Sequence, residues 1–245
     1  MRLLCLLLTL VVLSVHAQTR HVLAFYTDKG EKDHVDFAHQ AIDFFQKDAA
    51  KEHYVWRATQ DWNDLLQVST DTDQLVVWLN DQPHTAAQRS AFERYMDHGG
   101  AWLGFHASAY NDSSTHWPWF VNFLGGAVFR NNNWPPLPAI LKVEDTNNLV
   151  THQMGTTYTA PANEWYGWYP NPRDNKDVHV LMSLDPGNYP IGLKDTLTSG
   201  DIPVVWTNTR YRMLYVNMGH GDKIFSSPIQ NAMFMRAMAW LMSRQ

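Results

Sequence analysis

The chain has 245 residues, of which 24 are acidic and 19 are Lys or Arg, and its formal net charge is -5 at pH 7. The basic residues form no stripe or cluster, which argues against nucleic acid as a partner. A single cysteine excludes a disulfide framework, so the fold must depend on its hydrophobic core, and the length fits one large domain.

The first 17 residues have the pattern of a secretory signal peptide. Arg2 precedes an apolar run over residues 3–15, and Ala17 is a small residue of the kind found at cleavage sites. The run is shorter than the roughly 20 residues that a membrane-spanning helix needs, so no membrane partner is expected after cleavage. The only cysteine, Cys5, would be lost with this segment. We therefore predict a periplasmic or secreted protein with a single domain over residues 18–245.

Apolar segments typical of buried strands alternate with helical patterns in the first half of this domain. Strands are predicted at residues 21–27, 54–58, 74–79 and 101–105, with helices at about 33–50 and 85–98. This alternation indicates an α/β fold with a doubly wound, mostly parallel sheet that is covered on both faces.

The second half begins with a loop-rich, aromatic insertion over residues 111–138. Long irregular insertions in compact domains are often functional, and aromatic side chains suit stacking on the apolar faces of sugars. Further strands are predicted at residues 137–143, 178–184, 203–207 and 213–217, and a last helix at about 228–243.

Four residues are candidates for catalysis because they follow predicted strands, and the carboxyl ends of parallel strands border the ligand crevice. His106 ends the strand at 101–105, and His220 lies between two glycines after the strand at 213–217. Glu164 stands beside two aromatic residues, and His34 follows the first strand. Histidine and glutamate together can perform acid–base chemistry near neutral pH. Each has a plainer interpretation, such as a buried structural histidine or a surface carboxylate.

A small-molecule carbohydrate is the expected ligand. Substrate binding is assigned to aromatic and polar residues of the insertion and of the strand ends: Asp81, Trp119, Asn131, Trp134 and Tyr166. A glycosidase would need a second acid beside Glu164, and the residues that follow strand ends and could supply one are Asp28, Asp81 and Asp112.

No cofactor is assigned from the sequence, and a divalent metal stays an open alternative. His106 and His220, completed by His34 or Glu164, are the residue types that bind zinc. The chain has no HExxH, CxxC, Walker or GxGxxG motif. Self-association into a homo-oligomer is also left open.

Taken together, these segments resemble the ThuA-like (trehalose utilisation) family, whose fold is similar to class I glutamine amidotransferase domains. The segments that carry the resemblance are residues 88–107, 117–120, 124–126, 163–166, 171–173, 178–181, 203–206, 215, 219–220 and 240. The resemblance implies a flavodoxin-like sheet and a link to the catabolism of trehalose-like or oxidised (keto) sugars.

The chain departs from the family and from the amidotransferases at three positions. Asn163 stands where the family often has Asp, and Ile202 precedes Pro203 where it often has His. His106 stands where amidotransferases have their nucleophilic cysteine, which excludes glutaminase activity because no thiolate can attack the amide.

The expected function is therefore that of an exported protein that acts on a sugar or keto-sugar by acid–base chemistry, without a Cys or Ser nucleophile. The alternative is a non-catalytic carbohydrate-binding or accessory protein. The sequence leaves open whether the protein is an enzyme.

Overall fold

A computed structural model describes residues 19–112 and 114–243, and the predicted signal peptide lies outside the described residues. Eleven strands are found in this part of the chain: β1 Arg20–Phe25, β2 Tyr54–Thr59, β3 Leu75–Trp78, β4 Ala101–Phe105, β5 Phe129–Asn132, β6 Leu137–Val143, β7 Thr157–Asn163, β8 Tyr166–Trp168, β9 Val178–Leu184, β10 Pro203–Asn208 and β11 Arg212–Val216. The helices that cover them are α1 Lys32–Glu52, α2 Ala86–Asp97, α3 Pro118–Phe123 and α4 Pro228–Met242.

Nine strands form one sheet in the order β2-β1-β3-β4-β11-β10-β9-β6-β7. The ladders from β2 to β11 are parallel, whereas those from β11 to β7 are antiparallel. Seven of the nine strands consequently point the same way, and only β10 and β6 run against them. The order β2-β1-β3-β4-β11 is that of a flavodoxin-like, doubly wound sheet, which confirms the predicted α/β class.

The helices bury apolar side chains against both faces of the sheet. On one face, α1 places Phe37, Ala41 and Phe45 at helical spacing against the sheet, beside Phe234 of α4. Full burial of each phenylalanine contributes about 1.5–3 kcal/mol. On the other face, α2 and α3 pack an aromatic layer that contains Phe92. Among the described residues, no helix is long and apolar enough to cross a bilayer.

Three strands were not expected from the sequence. The two-stranded ribbon pairs β5, a short and polar strand within the aromatic insertion, with β8, which follows β7. The strand β7 contains Pro161 and several threonines and alanines, so it lacks the apolar run that marks a buried strand. This strand matters because it brings Glu164 to the same sheet edge as the ends of β4 and β11.

Candidate active site

Four candidate residues meet at the carboxyl edge of the sheet. His34 lies in the first turn of α1, His106 directly follows β4, Glu164 directly follows β7, and His220 follows β11. The ring nitrogens and the carboxylate oxygen that they offer lie within 4.8 Å of one another. We call these four residues the His–Glu cluster. The cluster lies beside the point where the strand order reverses between β1 and β3, which is where ligands bind in such sheets.

The position of His106 depends on an unusual backbone and on a glycine. His106 has a φ of 40° at the start of a short 3-10 turn, a left-handed conformation that is uncommon for a residue with a side chain. A Cβ atom on Gly219 would lie 2.6 Å from the His106 Cβ atom. Gly219 is therefore needed for the two loops to approach each other.

Two hydrogen-bond partners orient the His106 imidazole. Its Nδ1–H donates to the backbone oxygen of Asn217 at 2.8 Å, which leaves Nε2 pointing at Glu164 Oε2 at 3.2 Å. The Tyr166 ring packs over the imidazole with the two centroids 4.0 Å apart. Burial lowers the pKa of His106, although the hydrogen bond to Glu164 opposes this effect.

Glu164 is the centre of the cluster. Its Oε2 atom lies 3.2 Å from His106 Nε2 and 3.1 Å from His220 Nδ1, and its Oε1 atom accepts a hydrogen bond from Asn132 Nδ2. Burial alone would raise the pKa of Glu164, but the hydrogen bonds and charges of the two histidines hold it well below its ordinary value. The carboxylate is therefore ionised at neutral pH.

The pKa values of His220 and His34 shift in opposite directions. Burial opposes protonation of His220, but Glu164, Glu31 and Asp33 outweigh it and raise the pKa of this imidazole. Burial, together with the charges of His106 and His220, lowers the pKa of His34 to about 3. His34, whose Nε2 is 3.1 Å from His220 Nδ1, is therefore neutral at pH 7, and His220 is the imidazole of this pair that protonates first.

Acidic side chains lie behind the His220 ring. His220 Nε2 is 3.2 Å from Asp33 Oδ2 and 3.7 Å from Glu31 Oε1, distances at which the ions attract. Neither oxygen is aligned for a hydrogen bond to this buried nitrogen, so the attraction is that of an ion pair.

Asn163 connects the loops that carry the cluster. Its Oδ1 accepts from the backbone N–H groups of Gly219 and His220 at 3.0 and 3.1 Å. Its Nδ2 donates to the backbone oxygens of Glu164 and Asn217 at 2.8 and 3.2 Å. An aspartate could accept the two backbone hydrogen bonds but could not donate the others. The asparagine at this position is thus a structural bridge and not a second carboxylate.

A cavity of about 400 Å³ opens beside the cluster, with His34 and Glu164 in its wall. The rest of the lining combines polar and aromatic side chains: Glu31, Asn80, Asp81, Gln82, Tyr110, Phe129, Asn132 and Tyr166. Amide and carboxylate groups can hydrogen-bond hydroxyl groups, and the aromatic rings can contact apolar faces. Asp81 also lines a neighbouring cavity of about 610 Å³.

Three of the predicted ligand-binding residues lie near the cluster. Tyr166 and Asp81 line the cavity, and the Trp134 ring is 6.0 Å from the His220 ring. Asp81 accepts a hydrogen bond from the Trp62 indole at 3.0 Å and lies 3.1 Å from His84, so its carboxylate is held in a fixed position.

The structure does not bring Trp119 and Asn131 to the cavity. Trp119 packs against Phe92, Phe123 and Tyr211 in the aromatic layer around α3, where its large apolar ring is half-buried. Asn131 is exposed, since successive side chains of a strand point to opposite faces, and the next residue, Asn132, contacts Glu164 instead.

The other two proposed acids also stay outside the cluster. Asp28 pairs with His39 at 2.9 Å, and Asp112 accepts hydrogen bonds from the Ser114 backbone and hydroxyl. Of the three acids that follow strand ends, only Asp81 lines the cavity.

Several functional residues of the site were not identified from the sequence: Glu31, Asp33, Asn132 and Asn217. Asn217 follows the same strand as His220, namely β11. Glu31 and Asp33 both lie within three residues before His34, at the N-terminus of α1. Proximity along the chain to the predicted histidines was the signal that could have identified these three, whereas Asn132 is adjacent to the predicted Asn131.

Comparisons with known proteins agree with this fold. The chain is 46% identical to a protein described as ThuA-like from Bacteroides uniformis ATCC 8492, whose crystal structure superposes with a TM-score of 0.87 over 92% of this chain and 93% of that chain. No curated protein sequence matches the chain significantly.

More distant structures share the fold alone. A GMP synthase subunit from Thermoplasma acidophilum is 10% identical, with a TM-score of 0.54 over 92% of this chain and 96% of that one. The glutaminase domain of CTPS from Trypanosoma brucei is 9% identical, with a TM-score of 0.52 over 91% and 94%. The architecture is thus glutamine amidotransferase-like, as expected. Because a model of the ThuA family, described as trehalose utilisation, matches residues 21–241, the chain belongs to the ThuA family.

Proposed function

We propose that this protein is an exported enzyme of carbohydrate catabolism that acts on a sugar or a keto-sugar by proton transfer at the His–Glu cluster. Membership of a family described as trehalose utilisation supports the carbohydrate substrate. The signal-peptide pattern of residues 1–17 supports a periplasmic or secreted location. The reaction uses no serine or cysteine nucleophile, because the amino acid at the strand tip is His106.

One observation carries the catalytic part of the proposal. His106 and His220 both direct a ring nitrogen at the same oxygen of Glu164, at 3.2 and 3.1 Å. The cluster therefore combines an ionised carboxylate, an imidazole with a raised pKa and imidazoles with lowered pKa values at the wall of a cavity. Proton transfer requires such paired donors and acceptors with pKa values on opposite sides of neutral pH.

The polarity of the cavity supports a ligand rich in hydroxyl groups. Asn80, Gln82 and Asn132 offer amide donors and acceptors, and Asp81 adds a fixed carboxylate. Sugars are recognised by such groups together with an aromatic surface, which Phe129 and Tyr110 supply at this cavity. Trp119, which was expected to stack on the ligand, is not required for this arrangement.

The test is turnover of a panel of glycosides and 3-keto-glycosides, followed by NMR spectroscopy of the sugar. We expect His106→Ala to lower turnover by about 100-fold or more. His179→Gln is the matched control, because His179 also pairs with a carboxylate, Asp145 at 2.8 Å, outside the cluster. Equal turnover by wild type and His106→Ala would overturn the proposed role of the cluster.

The alternative of a non-catalytic sugar-binding protein makes a different prediction. In that case calorimetry would detect tight sugar binding, while no member of the panel would be converted. This alternative depended on the aromatic side chains of the insertion, of which half-buried Trp119 packs into the aromatic layer and Trp134 stays near the cluster.

A further inference from the structure

The four residues of the His–Glu cluster direct polar atoms at one another. Because His106 Nδ1–H donates to Asn217, Nε2 is the ring atom that faces Glu164 Oε2, at 3.2 Å. His34 Nε2 and His220 Nδ1 face the same space, 3.1 Å apart. Three ring nitrogens and one carboxylate oxygen thus converge on one space, and all four can bind a single shared cation.

The spacing of the four atoms fits ligands of one metal ion. In a tetrahedral site with metal–ligand bonds of 2.0–2.1 Å, neighbouring ligand atoms are about 3.3 Å apart. The separations from Glu164 Oε2 to the two imidazoles are 3.2 and 3.1 Å, and that from His34 to His220 is 3.1 Å. The remaining separations stay within 4.8 Å. Small movements of the side chains, which widen the shorter separations and close the longer ones, would bring all four atoms to bonding distance of a shared cation.

The polar groups that contact the far side of each cluster residue are of the kind that orient metal ligands. Ligating histidines usually present their second nitrogen to a carbonyl or carboxylate, which fixes the ring and its tautomer. His106 Nδ1 has the Asn217 carbonyl, and His220 Nε2 has Asp33 at 3.2 Å. His34 Nδ1 lies 3.8 Å from Glu31. The second oxygen of Glu164 is held by Asn132.

We propose that His34, His106, Glu164 and His220 bind one divalent transition-metal cation such as Zn²⁺. Three imidazoles and one carboxylate match the ligand preference of zinc and its neighbours, whereas Mg²⁺ and Ca²⁺ prefer oxygen ligands. The inference deepens the proposed function and rests on it for the role of the ion. With all four residues as ligands, a sugar carbonyl or a water at the cavity wall would bind as a fifth ligand. The cation would polarise the carbonyl, or lower the pKa of the water so that the resulting hydroxide serves as the base in place of an imidazole.

The test uses the untagged mature chain, stripped with a chelator and then supplied with Zn²⁺ alone. We expect elemental analysis to find about one equivalent per chain, and calorimetry to show no comparable binding of Mg²⁺ or Ca²⁺. His106→Gln and Glu164→Gln should bind zinc at least about 100-fold more weakly, while His179→Gln should bind it like wild type. Less than about 0.1 equivalent on the wild-type chain would overturn the inference.

A variant outside the set of ligands guards against misfolding as the explanation. Asp33→Asn keeps the size of the side chain but removes the charge behind His220, so zinc affinity should fall by about 10–100-fold while the melting temperature of the zinc-free protein is unchanged. Normal zinc affinity in Asp33→Asn would contradict the assigned role of the outer partners.

Different experimental outcomes would refute the cation's role and the proposed enzymatic function. Full sugar turnover by chelator-stripped protein that contains no metal would refute a catalytic role for the cation and leave the proposed function standing. Stoichiometric zinc binding, with no conversion of any sugar in the panel, would support the cation site and refute the enzyme.

Discussion

Gly219 contacts His106 so closely that no side chain fits between them, because a Cβ atom on Gly219 would lie 2.6 Å from the His106 Cβ atom. We predict that Gly219→Ala displaces the His106 loop, destabilises the fold by about 1–3 kcal/mol and removes sugar turnover. Gly200→Ala is the control, since a Cβ atom there meets nothing and the cost is only that of a left-handed backbone with φ of 120°. Denaturant unfolding and turnover are measured on both. Normal turnover by Gly219→Ala would show that the His106 position is not critical.

Asn163→Asp tests the bridge between the loops after β7 and β11. The substitution keeps the two acceptor contacts with Gly219 and His220 but removes the two donated hydrogen bonds and buries a charge near Glu164. We expect a loss of about 2–4 kcal/mol in the free energy of unfolding at pH 7. The measurement is urea unfolding. The control is Asn175→Asp, at a half-buried position outside the site where Oδ1 accepts one backbone hydrogen bond that an aspartate can also accept. Unchanged stability in Asn163→Asp would mean that the donated hydrogen bonds contribute little.

The ion pair between Arg173 and Glu144, which lies outside the His–Glu cluster, should make the free energy of unfolding depend on pH. Burial alone would raise the pKa of Glu144, but two hydrogen bonds from Arg173 at 2.7 Å, together with Ser183, lower it. A carboxyl whose folded pKa is lowered stabilises the fold at pH values above its unfolded pKa, near 4.5, and this contribution is lost as the pH falls through the folded pKa.

Arg173→Met should therefore cost about 1–2 kcal/mol at pH 7, and its difference from wild type should shrink as the pH falls below about 4. The measurement is urea unfolding across this pH range. Arg57→Met is the control, because its ion pair with Asp64 is more exposed and should contribute about 0.5 kcal/mol or less. A constant deficit at all pH values would indicate lost packing and not lost charge.

The sequence predicted which strand ends meet, but not how side chains orient within them. His106 and His220 were identified because buried apolar strands precede them, and strands that run in one direction bring their carboxyl ends to one edge. Glu164 reaches the same edge through β7. This strand was not predicted because its proline and small residues lack the apolar pattern of a buried strand. The antiparallel pairings from β11 to β7 set its direction, and such long-range pairing leaves no local pattern.

The sequence also could not separate aromatic residues of the core from those of the cavity. Trp119 and Trp134 belong to the same insertion. Trp119 is packed among Trp117 and Phe123, whereas the Trp134 ring lies near His220. The difference arises because Trp119 belongs to α3, which packs against the sheet, while Trp134 follows β5, which leads to the His–Glu cluster.

Substitution of the adjacent residues Asn131 and Asn132 should have different effects on zinc binding and turnover. Both lie in β5, but the alternation of side chains along a strand directs only Asn132 to Glu164, while Asn131 is exposed. Removal of the amide frees one carboxylate oxygen, so that Glu164 can rotate away from His106 and His220.

We expect Asn132→Ala to weaken zinc binding by about 10–100-fold and to lower turnover, with little change in the melting temperature. Asn131→Ala should match wild type in zinc affinity, turnover and melting temperature. The same loss of zinc affinity in both variants would show that the effect comes from disturbance of β5 and not from the contact between Asn132 and Glu164.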